Sequence, residues 1–129
     1  MQCMTSPPDV AERESLLLRG ALDMCVLALL ERESLHAYAV AQRLADHGFT
    51  QTSYGTVYPL VTRLRRLGLV DQRAETGGGG PARNVLTPTK AGRAALARWR
   101  EQWHDTTDRI SRLIDGSLDP HLQEDRHVG

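Results

Sequence analysis

The stretch TGGGGPA, Thr76 to Ala82, divides this chain into two regimes of hydrophobic spacing. Four glycines and a proline cannot form the interior of a helix or a strand. Upstream, Val57, Leu60, Val61, Leu64 and Leu67 form one helical stripe that Gly68 ends. On either side of the glycines, LVDQRAE and RNVLT are short strand-like runs, so the segment reads as a β-hairpin with a long tip. Downstream, Pro88 precedes Thr89, which is placed to cap a last helix. Along that helix Gly92, Leu96, Trp99, Trp103, Thr106, Ile110 and Leu113 alternate spacings of four and three. This is a heptad seam, with Gly92 and Thr106 as weak members.

Before the stripe, Leu16 to Leu30 is apolar almost all round, with charges only at Arg19 and Asp23, and predicts one buried helix. ERESLHAYAVAQRLADHG predicts a second helix, capped by Ser34 and stopped by Gly48. FTQTS links it to the third helix, which carries the stripe. The fold class is therefore mainly α with a small β-hairpin: a winged helix-turn-helix plus a long C-terminal dimerisation helix. In that layout the third helix enters the DNA major groove. The expected boundaries are a flexible tail over 1–13, the winged domain over 14–88, the dimerisation helix over 89–116 and a disordered tail over 117–129. A seam helix wants a partner, and a two-fold homodimer is the commonest solution.

With 129 residues, 40% hydrophobic and 25% charged, the chain suits one soluble domain. The longest apolar run, Met24 to Leu30, falls far short of the ~20 residues of a membrane span. The N-terminus lacks a signal-peptide layout, so a cytoplasmic location is expected. Of the two cysteines, Cys3 lies in the expected tail and Cys25 reads as a small buried hydrophobe. The net charge is zero, but it is unevenly spread. Residues 49–70 hold Arg63, Arg65 and Arg66 and no acid, whereas 94–129 hold more acids than arginines. The local distribution decides what such a chain attracts. No nucleophile–base set or carboxylate pair is placed for catalysis, and no cofactor motif is present: GGGGP lacks the P-loop pattern. His121, Glu124 and His127 would hold a metal only in an ordered tail, so no metal site is expected.

The face of the third helix opposite its stripe carries Thr56, Tyr58, Pro59, Thr62, Arg63 and Arg66, with Ser53 and Tyr54 at its N-terminal end. The hydroxyls can donate to phosphate or base edges, and the arginines can reach phosphate or guanine. A charge cluster alone is usually just a solvated face; here the helix order favours DNA. Arg73 and Arg83 on the hairpin would follow the adjacent backbone or minor groove. Pro59 has two readings. If Thr56 caps the helix, the proline lies in its first turn. If Ser53 caps it, the proline removes one hydrogen bond and bends the entry.

The chain resembles the PadR-like transcriptional regulators, in their short branch with a single C-terminal helix, from about Leu16 to Asp115. The resemblance rests on LLRGALDMCVLALL, His36-Ala37-Tyr38, YGTVYP at Tyr54 to Pro59, Arg63-Leu64, Gly68 to Val70, GGPAR at Gly79 to Arg83, and TKAG at Thr89 to Gly92. Three positions depart from the family pattern. Ala37 replaces a glycine, Asn84-Val85 replaces Lys-Tyr, and Pro88 replaces a leucine. The resemblance implies a dimeric DNA-binding repressor, often of its own gene and of a neighbouring transporter or detoxification gene. Several such regulators leave DNA on binding a flat aromatic compound. In similar short-branch proteins, paired tryptophans at the dimer axis sandwich planar drugs. That implies an effector site at Trp99 and Trp103, with Leu17, Ala21 and Met24 as its opposite wall. The plainer reading packs both indoles in the dimer core, where Leu96, Thr106, Ile110 and Leu113 would join them. His36 and Tyr38 would pack and hydrogen-bond against the third helix. The competing functional class is a winged-helix module that binds a protein instead of DNA, through its acidic C-terminal segment.

Overall fold

The structure is a computed structural model that describes residues 8–50, 52–75 and 83–116. In chain order its elements are α1 (Pro8–Arg19), α2 (Leu22–Arg32), α3 (Ala37–Asp46), α4 (Tyr54–Arg66), β1 (Val70–Glu75), β2 (Arg83–Pro88) and α5 (Lys90–Asp115). They fall into two compact units, Met1–Leu96 and Ala97–Gly129. No described helix is long and apolar enough to cross a membrane.

The run from Leu16 to Leu30 is not one buried helix. It breaks at Gly20 and Ala21, where the Ala21 amide donates to the Leu18 carbonyl at 2.9 Å. α1 begins at Pro8, inside the segment expected to be a tail, and Leu17 on it is 66% exposed. Residues 1–7 and 117–129, the rest of the expected tails, lie outside the described residues. α2 is the buried half: Leu22, Val26, Leu27 and Leu30 line the core. An all-round apolar pattern cannot say which stretch meets the core and which waits for a partner. The third helix of the sequence reading is thus α4.

α3 starts later than Ser34. His36 is its N-cap, with Nδ1 accepting from the Ala39 amide at 3.3 Å, and Ser34 is exposed. The intervening Leu35 is drawn into the sheet, where its carbonyl accepts from the Leu86 amide at 2.8 Å. This bridge leaves the helix no room to start earlier. Gly48 ends α3 and Gly68 ends α4 in the same way. Each takes a positive φ (98° and 79°), and the next residue's amide donates back to Leu44 or Leu64 at 2.9 Å. This left-handed stop favours glycine.

α4 is capped by Ser53, so Pro59 lies in its second turn and has no N–H for the Gly55 carbonyl. Val57, Val61 and Leu64 are buried, Leu60 is half-buried, and Leu67, the expected end of the stripe, is 58% exposed. Leu67 is already the C-cap, one residue before Gly68 turns the chain out of the helix. The core joins these residues to α2, to Val40, Ala41 and Leu44 of α3, and to Val70, Val85, Leu86, Ala95 and Leu96. β1 and β2 are antiparallel, with Val70 opposite Pro88 and Glu75 opposite Arg83.

Thr89 then fastens α5 to the corner between α4 and β1. Its hydroxyl donates to the Gly68 carbonyl at 2.7 Å and accepts from the Gly92 amide at 2.9 Å; its own amide donates to the Leu69 carbonyl at 3.0 Å. The expected cap at Thr89 is therefore present. Gly92, however, is no member of a dimer seam. It is buried, and a Cβ on it would collide with the Leu69 carbonyl oxygen. Gly92→Ala should destabilise the protein by about 1–3 kcal/mol through overpacking. Urea unfolding read by far-UV circular dichroism checks this, and an unchanged midpoint would refute the close approach.

Candidate nucleic-acid interface

At about 100° per residue, α4 divides its surface into four strips. Val57, Val61 and Leu64 face the core. Directly opposite lie Gly55, Pro59, Thr62 and Arg66. Tyr54, Tyr58 and Arg65 flank that outward strip on one side, and Thr56 and Arg63 flank it on the other. No acidic residue stands anywhere on the helix. The strip is quiet at its centre. Pro59 has no donor, Gly55 has no side chain, and the Thr62 hydroxyl donates to the Tyr58 carbonyl at 3.0 Å.

The N-terminal end of α4 is open. Ser53 is extended (φ −101°, ψ 168°) and makes no side-chain capping bond. Its Oγ lies 3.4 Å from Thr56 Oγ1 instead. First-turn amides without a side-chain cap, together with the positive end of the helix dipole, suit an anionic partner such as a phosphate.

The wing-side flank is the more built of the two. Tyr54 packs between two other tyrosine rings. Tyr38 of α3 lies 6.1 Å away with planes at 56°, and Tyr58 lies 5.6 Å away at 37°. All three rings are exposed. With Arg65, Gln72 of β1 and Asn84 of β2 they line a cleft of about 370 Å³. Tyr38 thus meets α4, but as one ring of a surface stack. Arg65 and Gln72 escaped the sequence reading. Arg65 stands seven residues after Tyr58, two helical turns on, and that spacing carried the signal. Gln72 could be found only once α4 and the hairpin were placed together.

Arg63 and Arg66, paired in the sequence reading, part company. Arg66 borders the wing with Asp71 and Gln72. Arg63 turns to the other flank, against α1 and α2. Arg73 is exposed on β1, and by strand alternation projects from the opposite face of the hairpin to Gln72. Arg83 begins β2 opposite Glu75, and the glycine tip lies outside the described residues.

The expected seam and effector residues also separate. Leu96 is 2% exposed within its own chain, so it belongs to the protomer core and not to a dimer seam. Ala21 is likewise buried and presents no surface to an effector; Met24 is half-buried, and Leu17 is open. Trp99 is half-buried, Trp103 is 45% exposed, and Thr106, Ile110 and Leu113 are exposed. Burial pushes the Cys25 thiol above its usual range and Asp23 adds to the shift, which makes it a poor nucleophile. Among the described residues no three His, Cys, Asp or Glu side chains could hold a metal; His121, Glu124 and His127 lie outside them.

Three core helices, an antiparallel hairpin tied back to Leu35 and an outward basic helix define a winged helix-turn-helix protein. The chain belongs to the PadR-like family of transcriptional regulators, whose sequence model matches residues 26–98. It is similar to a PadR family transcriptional regulator from Eggerthella lenta DSM 2243, with 33% identity over 86% of this chain and 96% of that one, at a TM-score of 0.71. A PadR-like regulator from Bacillus cereus strain ATCC 14579 shares 27% identity over 77% of this chain and 96% of that one, also at 0.71. Bacillus subtilis PadR, solved in complex with operator DNA, shares the fold at 22% identity and a TM-score of 0.54, covering 61% of this chain and 47% of that one. No curated protein matches the chain. Members of the family are transcriptional regulators, not enzymes.

The tyrosine stack is open to a direct test. Tyr54→Ala removes both ring pairs and Tyr58→Ala only one. At about 0.5–1.5 kcal/mol per pair, Tyr54→Ala should destabilise the protein about twice as much in chemical denaturation. Equal losses would show that the rings do not interact.

Proposed function

We propose that this protein is a homodimeric repressor that binds a pseudo-palindromic operator and acts in the cytoplasm. The observation that carries the proposal is the acid-free outward surface of α4, which bears Arg66 and is flanked by Arg63 and Arg65. The operator complex of Bacillus subtilis PadR, a fold relative, supports DNA as the partner. Two copies of α4 would enter successive major grooves, about 34–36 Å apart. Ser53, Thr56 and the uncapped amides would take phosphates. Tyr54, Tyr58, Pro59, Thr62 and Arg66 would face base edges. Arg65 and Gln72 would hold the backbone beside the wing, and Arg73 and Arg83 its flank.

Exposed apolar residues support a second copy of the chain as the other partner. Leu16 and Leu17 on α1, and Trp103, Ile110, Leu113 and Ile114 on α5, all lie open in the single protomer. Trp103 also offers a ring to a planar aromatic effector. Such a ligand would release the operator only by preferring a dimer in which the two α4 helices are out of register.

Binding to DNA from the protein's own promoter region should weaken steeply with salt, the logarithm of affinity falling by about 0.9 per phosphate contact for each decade of salt. Arg66→Ala should cost about 1–3 kcal/mol and relax sequence preference, the mark of a base contact. Band shifts between low and physiological salt measure both. Absence of binding even at low salt would overturn the DNA reading in favour of a protein partner. Separately, Ile110→Asp should give a monomer in analytical ultracentrifugation and weaken operator binding at least tenfold; a dimer of unchanged affinity would remove α5 from the interface.

A further inference from the structure

On the side of α4 away from the wing lies a second cleft, of about 360 Å³, bounded by α1, the start of α2 and the linker before α4. We propose that this cleft binds a small organic monocarboxylate, separately from any site among the tryptophans, and that its occupant restrains Arg63. Three features of the lining point to such a ligand. Arg19 of α1 and Arg63 of α4 both line it, with Asp23 as the single acid. Two guanidiniums against one carboxylate leave one positive charge, which matches a monoanion and disfavours a dianion. Guanidinium is also the side chain whose fork best fits a carboxylate.

The second feature is Thr52. It is 8% exposed, the one buried polar side chain of the described core, and it lines this cleft. Its hydroxyl enters none of the side-chain hydrogen bonds among the described residues. No fully enclosed side-chain polar atom there lacks a partner, so the hydroxyl opens onto the cleft. A hydroxyl that opens onto the cleft can donate to a ligand oxygen in place of water. Thr56 stands beside it with a second hydroxyl. Third, Leu18, Leu22 and Leu60 supply an apolar wall, so a hydrocarbon body gains burial that a bare inorganic ion cannot. Apolar walls with a few convergent polar groups are what a small-molecule site requires.

The site would be coupled to the proposed DNA surface through one residue. Arg63 held against a carboxylate in the cleft is not available to a phosphate beside α4. Binding of ligand and operator should then be mutually weakening by the same factor. This coupling rests on the DNA-binding reading; the binding of carboxylate does not, and is measured without DNA.

The probes are the straight-chain carboxylates from acetate to hexanoate, titrated by calorimetry into the full-length protein. Saturable binding should tighten as the chain lengthens. Butyrate should bind at least tenfold more tightly than succinate, and Asp23→Asn should narrow that gap. Arg19→Ala and the near-isosteric Thr52→Val should each weaken binding at least fivefold with circular dichroism unchanged. No saturable binding by any member, or binding that both variants leave intact, overturns the proposal. The same two variants, tested on operator DNA without carboxylate, separate the two sources of an oxyanion. If Arg19→Ala weakens operator binding but not butyrate binding, the cleft anchors a DNA phosphate and the proposal fails. If operator binding is absent altogether but butyrate binds as described, the site stands and only the DNA reading falls.

Discussion

The carbonyls of Gly68 and Leu69 are the point on which the described winged unit turns. α4 ends there, the hairpin begins there, and Thr89 bonds to both oxygens while starting α5. Gly92 lets the first turn of α5 press against the Leu69 carbonyl, where any side chain would collide. Three elements are thus fixed to one another by one hydroxyl, one amide and one missing Cβ. The positive φ of Gly68 makes the corner sharp enough for this. The placement of the wing beside α4, and so the cleft shared by Arg65, Gln72 and Asn84, follows from that knot. The Leu35–Leu86 bridge holds the other end of β2 to the connection between α2 and α3.

A neutral chain can still present a basic helix because its charges are sorted by element. α4 carries three arginines and no acid, while the acids gather towards the C-terminus. Geometry then sorts the arginines further. Residues 63, 65 and 66 are near neighbours in sequence, yet the helix sends Arg63 to the α1–α2 cleft, while Arg65 and Arg66 share the border of the wing and Arg65 also lines the tyrosine cleft. Neighbouring charges therefore stand in different surroundings, and substituting them one at a time distinguishes their contributions where a count of positive charge cannot.

The conformation of α4 at Pro59 follows the same economy. Losing one backbone bond in the second turn is tolerable because the core-facing residues Val57, Val61 and Leu64 hold the helix from beneath. The proline keeps a donor-free, stiff surface at the centre of the outward strip. The polar and charged side chains stand around it: Thr62 and Arg66 along the strip, and tyrosine, threonine and arginine on its two flanks.

Much of this was legible in the chain itself. Hydrophobic spacing of three and four marked the amphipathic helices, a change to short strand-like runs around the glycines marked the hairpin, and Gly48, Gly68 and Thr89 marked helix ends, because periodicity, left-handed stops and caps are local physics. The sequence likewise determined that α4 is basic, and its ordered motifs pointed to the PadR-like family. Contacts between elements were not legible. That Leu16 and Leu17 lie open while Leu22 is buried, that Leu96 serves its own core, and that Gly92 is a contact point instead of a seam residue all depend on what stands opposite. So does the cap of α3: Ser34 was the better local candidate, but Leu35 pairs with Leu86 and gives the position to His36. Only the tertiary structure decided which apolar residues meet the core and which arginine meets which cleft. A period shows that a residue belongs to a face, and only packing shows what that face touches.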